Sequence, residues 1–205
     1  ELTAYLNAHK NEEASAYVAS FLEPKDLNMV MSTLDPSIVN GRLKGIFDAV
    51  KVRLEAENMR KEAEKNVADG KMAPDFTLKD IQGKDFSLSS LRGKYVILDF
   101  WGSWCGWCIK GMPEMKKYYE KYKGKFEIVG VDCQDTEAKW KAAVEKHQLP
   151  WVHVKNESKD LTPEKYAVTG FPTKVIINPD GTINKTIVGE DPEFYKYLDT
   201  LFENK

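Results

Sequence analysis

The segment Val96-Ile-Leu-Asp-Phe-Trp-Gly-Ser-Trp-Cys-Gly-Trp-Cys108 is the most informative part of this 205-residue chain. Its first half is a nearly continuous apolar run, which is typical of a strand that is buried on both faces of a sheet. A helix is predicted from Cys105 to about residue 123. The two cysteines therefore lie between a buried strand and a helix N-terminus, where free N–H groups and the helix dipole stabilise a thiolate.

The residues after Gly70 alternate between strand and helix patterns. Strands are predicted at 126–132 and 151–155, helices at 137–147, from Thr162-Pro163 and from Asp191-Pro192, and hairpins around Gln82-Gly83 and Pro179-Asp180-Gly181. In both Xaa-Pro pairs we expect the first residue to be the N-cap and the proline the first helical residue. This order predicts an α/β fold in which helices flank a mixed sheet.

Residues 1–70 lack strand-like alternation, and their apolar residues recur at helical spacing. Three short helices are predicted, around Leu6, around Val18 and over residues 27–34. A longer helix is predicted from Asp35-Pro36 through the charged stretch 55–65. We therefore expect an all-helical segment at 1–70, followed by a separate domain at 71–205.

Composition excludes several classes of protein. With 30 Lys and Arg against 32 Asp and Glu, the net charge of −2 argues against a strongly basic nucleic-acid binder. No apolar run approaches the roughly 18 to 20 residues of a membrane span, so none is predicted. The sequence opens at Glu1 without Met and shows no basic stretch followed by an apolar run, so we expect that a leader was removed or that the chain was cut from a longer one.

The C-x-x-C pair suggests redox chemistry. Cys105, nearer the helix terminus, is expected to be the nucleophile, and Cys108, one turn further and more buried, to resolve a mixed disulfide. A zinc site would need a second pair of ligands, which Cys133 and the three histidines do not supply, and haem attachment would need a histidine at Ile109. An inert structural disulfide, or a pair of buried thiols, remains an alternative.

Asp99 is the exception in the apolar strand. Burial disfavours the charged form of a carboxyl group and raises its pKa, so Asp99 is a candidate proton acceptor for Cys108. The alternative is a structural aspartate that faces a polar pocket.

The cysteine segment, together with Ala73-Pro74-Asp75-Phe76, Leu91-Arg92-Gly93-Lys94 and Gly170-Phe171-Pro172-Thr173, resembles the TlpA/ResA-like bacterial thiol-disulfide oxidoreductases of the thioredoxin superfamily. The resemblance covers residues 71 to about 203. It implies a thioredoxin-like fold with a helix-strand insertion at about 135–155, a location in the bacterial periplasm or cell envelope, and neither metal nor organic cofactor. Implied partners are protein disulfides or dithiols and an upstream thiol reductant or oxidant.

The resemblance also implies site residues. Pro172 would be a cis-proline that exposes the backbone of Phe171 for strand-like pairing with a substrate. Trp104, Gly106 and Trp107 would form the substrate surface around the sulfurs.

Three departures from the pattern limit what the resemblance implies. Gly106-Trp107 replaces the Gly-Pro of thioredoxins, so a strongly reducing potential is not implied. Gly111 stands where many relatives have a glutamate, and residues 126–132 lack the lysine that partners the buried acid in thioredoxins.

Two other functions remain alternatives. A peroxiredoxin-like thiol peroxidase fits the entry segment at 73–76, but the Pro-x-x-x-Thr-x-x-Cys arrangement of such enzymes is absent. A non-enzymatic interaction module, in which the helical segment binds the partner, is the third possibility.

Overall fold

The computed structural model describes residues 2–19, 21–22, 32, 34–42, 44–157 and 159–203. The chain divides into two compact units, Glu1–Lys61 and Glu62–Lys205. Whether the domain that begins at residue 71 is autonomous stays a prediction.

The first unit is helical in its described part. Its helices are α1 (Leu2–Ala8), α2 (Ala14–Ala19), α3 (Pro36–Val39) and α4 (Lys44–Asn66), the last of which continues into the second unit. A buried apolar cluster unites these elements; it contains Leu6, Ala19, Leu22, Leu34, Phe47 and Leu54. The helix predicted over residues 27–34 lies almost wholly outside the described residues.

The helix predicted from Asp35 onward begins where it was predicted, but the prediction of one continuous helix is wrong. The carboxylate of Asp35 accepts a hydrogen bond from the Ser37 N–H at 2.8 Å, and Pro36 is the first helical residue. The helix stops after one turn because the side chain of Asn40 donates to the Pro36 carbonyl oxygen at 3.0 Å, which competes with helix propagation. A second helix then runs through the charged stretch 55–65, as predicted.

The second unit is built on one seven-stranded sheet. Its strands are β1 (Thr77–Asp80), β2 (Asp85–Ser87), β3 (Tyr95–Trp101), β4 (Phe126–Cys133), β5 (Val152–Asn156), β6 (Thr173–Ile177) and β7 (Ile183–Val188). They lie in the order β2-β1-β5-β4-β3-β6-β7, and β3, β4 and β5 run parallel while the other pairs are antiparallel. The predicted mixed sheet is confirmed.

The described residues of this unit also form a 3₁₀ turn and four further helices. They are the 3₁₀ turn Leu88–Leu91, α5 (Gly106–Lys121), α6 (Glu137–His147), α7 (Thr162–Lys165) and α8 (Pro192–Phe202). Asp191 caps α8 as predicted, with its carboxylate accepting from the Glu193 N–H at 2.9 Å. The predicted N-cap at Thr162 is wrong: Leu161 is the N-cap, and the Thr162 N–H is satisfied by the Asn156 side chain at 3.1 Å.

Strand β3 positions the functional region through its two faces. Ile97 and Trp101 pack into the core that also contains the cysteine pair and parts of α5, α6 and α8, whereas Leu98 and Phe100 pack into the core on the opposite face. Since side chains alternate along a strand, Asp99 lies on the face of Ile97 and Trp101, under α5. The sheet thus directs a carboxyl group toward the helix that begins with the cysteines.

Within the residues that the structure describes, no helix is long and apolar enough to cross a membrane.

Candidate active site

The two cysteines form a disulfide at the start of α5. Cys105 is the N-cap residue, and its Sγ atom is bonded to that of Cys108 and accepts a hydrogen bond from the Cys108 N–H at 3.1 Å. The helix N-terminus therefore supplies an N–H donor to the Cys105 sulfur, and such a donor would stabilise a thiolate at this position. The expected difference in burial is not seen, because the residues are 6% and 5% exposed in the disulfide form.

The loop before the disulfide is held by residues that the sequence analysis did not single out. Both the N–H and the hydroxyl of Ser103 donate to the Asp135 carboxylate, each at 2.6 Å. The Trp104 Nε1–H donates to the Cys133 carbonyl oxygen at 2.9 Å. A Cβ at Gly102 would lie 2.4 Å from that indole nitrogen, so a side chain there would displace the tryptophan.

The predicted proline loop meets the cysteine loop through Trp104. The Phe171–Pro172 peptide bond is cis, and the Phe171 ring makes an edge contact with Trp104 at a centroid distance of 5.2 Å. Pro172 is buried and Phe171 half-buried.

Gly106 and Trp107 lie on the outer side of the disulfide, and both are exposed. The Trp107 side chain is 62% exposed, and the Lys110 ammonium lies 4.7 Å from the centroid of one of its rings.

Two surface grooves flank the cysteine loop. One, of about 620 Å³, is lined by Trp104, Ile109 and residues of α6. The other, of about 490 Å³, lies between α5 and α8 and is lined by Trp107, Tyr118, Glu190 and Tyr195. Aromatic side chains therefore border the disulfide on both sides.

Asp99 belongs to a charged group that we call the β3 acid cluster: buried Asp99 and Lys174, and partly buried Glu190. Lys174 is directly opposite Asp99 in the β3–β6 pairing and is 2% exposed. Its Nζ atom forms an ion pair with the Glu190 carboxylate at 2.8 Å. Burial raises the pKa of Asp99 to about 6; Lys174 opposes this rise and Glu190 adds to it.

A second charged group, the β4 acid cluster, consists of Asp132, Lys155 and Asp135. Lys155 donates to the Asp132 carboxylate at 3.3 Å and to the Asp135 carbonyl oxygen at 2.5 Å. Burial, followed by the neighbouring Asp135, raises the pKa of Asp132 to about 8. Although burial acts in the same direction on Asp135, the hydrogen bonds from Ser103 hold the pKa of that carboxyl below its usual value.

The remaining cysteine and histidines are not at the disulfide. Cys133 is 1% exposed, and burial raises the pKa of its thiol well above the ordinary value. His153 is 3% exposed, and burial lowers its pKa to about 4. In the described parts of the chain, no group of three or more His, Cys, Asp or Glu could hold a metal ion.

The missing lysine and glutamate of the sequence pattern have counterparts elsewhere in the fold. Lys174 reaches the buried acid from β6 rather than from β4. Glu190, in the loop after β7, places its carboxylate where a side chain at Gly111 would lie. For Lys174, the signal in the sequence was a charged residue just before the hairpin predicted around Pro179-Asp180-Gly181.

Comparisons with known proteins match the chain to one family and to thiol-disulfide oxidoreductases. A model of the AhpC/TSA family matches residues 70–186. The thiol-disulfide oxidoreductase ResA of Bacillus cereus is 40% identical over 123 residues, which are 59% of this chain and 70% of that protein. ResA of Bacillus subtilis is 33% identical over 125 residues, or 60% of this chain and 69% of that protein.

Solved structures give the same result. The thioredoxin domain of a thiol-disulfide oxidoreductase from Bacteroides vulgatus superposes with a TM-score of 0.61 at 33% identity, covering 66% of this chain and 98% of that domain. A thiol:disulfide interchange protein from a Bacteroides species gives a TM-score of 0.61 at 32% identity, covering 67% and 92%.

Proposed function

The chain belongs to the AhpC/TSA family and is a thioredoxin-like thiol-disulfide oxidoreductase, and we propose that it reduces or exchanges protein disulfides through Cys105 and Cys108. The observation that carries this proposal is the disulfide between these residues at the start of α5.

The reaction would begin from the dithiol form. The Cys105 thiolate attacks one sulfur of a client disulfide, the client S–S bond breaks, and the other client sulfur leaves as a thiolate that takes up a proton. Cys108 then gives its proton to Asp99 and attacks the Cys105 sulfur of the mixed disulfide. The second client sulfur leaves as a thiolate that takes up a proton, and the Cys105–Cys108 disulfide forms, so that one disulfide has been reduced and one dithiol oxidised.

Substrate binding is proposed for the surface around the disulfide. Trp104, Gly106 and Trp107 would contact the client, while the backbone of Phe171 beside Pro172 would pair with an extended client segment. The edge contact between Trp104 and Phe171 supports this assignment because it brings the two loops together.

The test is reduction of insulin disulfides, with dithiothreitol regenerating the dithiol form. Wild type should accelerate the reaction and Cys105→Ser should not, while Cys108→Ala should accumulate a mixed disulfide through Cys105. In the reduced wild type, iodoacetamide at neutral pH should label Cys105 before Cys108. Equal activity of Cys105→Ser and wild type would contradict the proposal.

A peroxide assay separates this function from the thiol peroxidase alternative. With the same reductant, we expect hydrogen peroxide to be consumed no faster than by a Cys105→Ser control, which lacks the nucleophile. If the wild type showed no disulfide reductase activity, that result would favour the interaction-module alternative.

We further propose that the protein acts in the bacterial periplasm or cell envelope, with an upstream thiol reductant or oxidant resetting the cysteine pair. The resemblance to TlpA/ResA-like proteins supports this location. Fractionation of cells that produce the full chain, with a cytoplasmic marker as control, tests it.

A further inference from the structure

The β3 acid cluster contains one charged residue for which neither the fold nor the proposed chemistry has yet given a role. Glu190 is contributed by the loop between β7 and α8, yet its carboxylate lies against α5, one helical turn beyond Cys108. A Cβ at Gly111 would lie 2.2 Å from Oε2 and 2.6 Å from Oε1 of Glu190. Only a glycine at position 111 admits the carboxylate at this place.

Both oxygens of this carboxylate are engaged. Oε2 pairs with the Lys174 ammonium at 2.8 Å, and Oε1 accepts a hydrogen bond from the Tyr195 hydroxyl at 2.7 Å. The Tyr195 oxygen also lies 3.3 Å from the Gly111 carbonyl oxygen, to which it can donate. Glu190 is therefore fixed by β6, α8 and α5 together.

Lys174 is the link to the redox chemistry. It is 2% exposed and opposes Asp99 across two paired strands, on the sheet face that is covered by α5. A buried ammonium stabilises a nearby carboxylate, and a second carboxylate competes for it. The charge of Asp99 thus depends on how Lys174 is shared with Glu190.

We propose that Glu190 is a positioning residue of the redox site, which occupies the space over Gly111, holds the Lys174 ammonium and thereby keeps Asp99 from ionising too readily. The inference rests on the proposed role of Asp99 as proton acceptor. Glu190 acts on Cys108 only through Lys174 and Asp99.

Other titratable groups also face this network, and the test must account for them. From α8 comes Tyr195, from α5 Glu114, which interacts electrostatically with Tyr195, and from β4 Cys133, which interacts with Asp99. Cys108 joins them when the disulfide is reduced. These groups are unchanged in the Glu190 variant.

Two variants disturb the Glu190 carboxylate by independent means. Glu190→Gln removes its charge and keeps its shape. Gly111→Ala keeps the charge but places a methyl group where the carboxylate lies, so that this flexible side chain must move; alanine is also the better helix residue. Both should lower the pKa of Asp99, because Lys174 is then free to stabilise its ionised form.

A third variant has the opposite sign. Lys174→Met leaves two carboxyl groups without their cation, so the pKa of Asp99 should rise. Glu193→Gln is the matched control: it removes a carboxylate that is paired with Lys196 on the surface of α8, three residues along the chain from Glu190. It should leave the pKa of Asp99 unchanged.

The experiment measures Asp99 in two ways. Its carboxyl ¹³C shift is titrated in the oxidised full chain, which requires no turnover, and the pH profile of insulin reduction is recorded for the same variants. We expect the midpoint of the Asp99 titration to fall by about one pH unit in Glu190→Gln and Gly111→Ala, and to rise in Lys174→Met. Thermal unfolding of each variant confirms that it is folded.

The outcomes separate the two proposals. An unshifted Asp99 midpoint in both Glu190→Gln and Gly111→Ala overturns the positioning role, whatever the activity. Shifted midpoints in a protein whose wild type does not reduce insulin would support the network and contradict the proposed function. If Lys174→Met does not fold, the first two variants and the control still decide the matter.

Discussion

The β3 and β4 acid clusters each contain two acids and one lysine, but they lie in different environments. Each combines a buried aspartate on a central strand, a lysine from the neighbouring strand and a second acid from a loop. In the β4 cluster the loop acid accepts two hydrogen bonds from Ser103, so its charge holds the cysteine loop. In the β3 cluster the loop acid faces α5. Similar charged groups can therefore serve to anchor a loop or to adjust a proton acceptor.

The largest functional difference between the clusters is expected in the kinetics of two asparagine variants. Asp99→Asn should slow insulin reduction at least about tenfold at neutral pH, since a positioned general base contributes a factor of this size or more. It should also remove the rise in rate near pH 6, where Asp99 ionises. Asp132→Asn, the matched control, should change the rate less than about twofold, because Asp132 does not receive the proton in the proposed mechanism.

Superimposable pH profiles for wild type and Asp99→Asn would leave Asp99 as a structural residue. An equal loss of rate in both variants would remove the functional distinction between the clusters. The iodoacetamide rate of Cys105 should be little changed in either variant.

The anchoring role of the β4 cluster is tested by stability. Asp135→Ala should lower the free energy of unfolding by about 2 to 3 kcal/mol, because two hydrogen bonds to a charged group are lost. Ser103→Ala, which keeps the backbone N–H donor, should cost about 1 kcal/mol. Urea denaturation measures both, and equal costs would show that the hydroxyl carries the whole anchor.

The two clusters should also differ in how the stability of the fold depends on pH. A carboxyl group with a raised pKa in the folded state favours folding at low pH, and this contribution is lost as pH rises. For Asp132 the loss extends from the ordinary value of 3.8 to about 8, and for Asp99 from 3.8 to about 6.

In Asp132→Asn, stability should therefore fall less than in wild type as pH rises to about 8. At pH 8 this variant should be more stable than wild type by at least about 1 kcal/mol. In Asp99→Asn, the smaller fall should extend only up to about pH 6. Thermal unfolding across pH 4 to 9 measures this. Wild-type and Asp132→Asn curves that stay parallel would contradict the raised pKa.

The smallest effect is expected from removal of the first unit. A fragment that begins at Glu62 keeps both clusters and the backbone hydrogen bond from the Gly70 N–H to the Ile183 carbonyl oxygen. The pH profiles that report on Asp99 and Asp132 should therefore be the same in this fragment as in the full chain. A fragment that begins at Lys71 loses that bond, at a cost of about 1 kcal/mol. Failure of the longer fragment to fold would show that the helical unit completes its core.

Much of the redox unit could be predicted from sequence because its signals are local. The strand at Tyr95–Trp101, the helix after Cys105 and the cap at Asp191 each depend on neighbouring residues, and all are confirmed. The break between α3 and α4 was missed because an apolar stripe continues through it. An apolar stripe indicates that residues share one buried face, but it does not show that the helix between them is unbroken.

The clusters could not be predicted because the tertiary fold brings together members that are distant in sequence. Lys174 reaches Asp99 through the pairing of β3 with β6, and Glu190 lies beyond the residues 70–186 that the family model matches. The resemblance pointed to Gly111 as a lost acid, whereas the fold shows it to be the space that another acid fills.

Because Gly111 and Glu190 lie so close together, evolution can change one of these positions only with consequences for the other. A side chain can be gained at position 111 only if the carboxylate at position 190 moves or is lost, so each substitution should have a different effect in the presence of the other. This is epistasis with a steric origin. Among relatives, or in a designed series, a side chain at the helix position should therefore occur together with loss of the acid after β7, and the two changes should be tolerated better as a pair than either is alone.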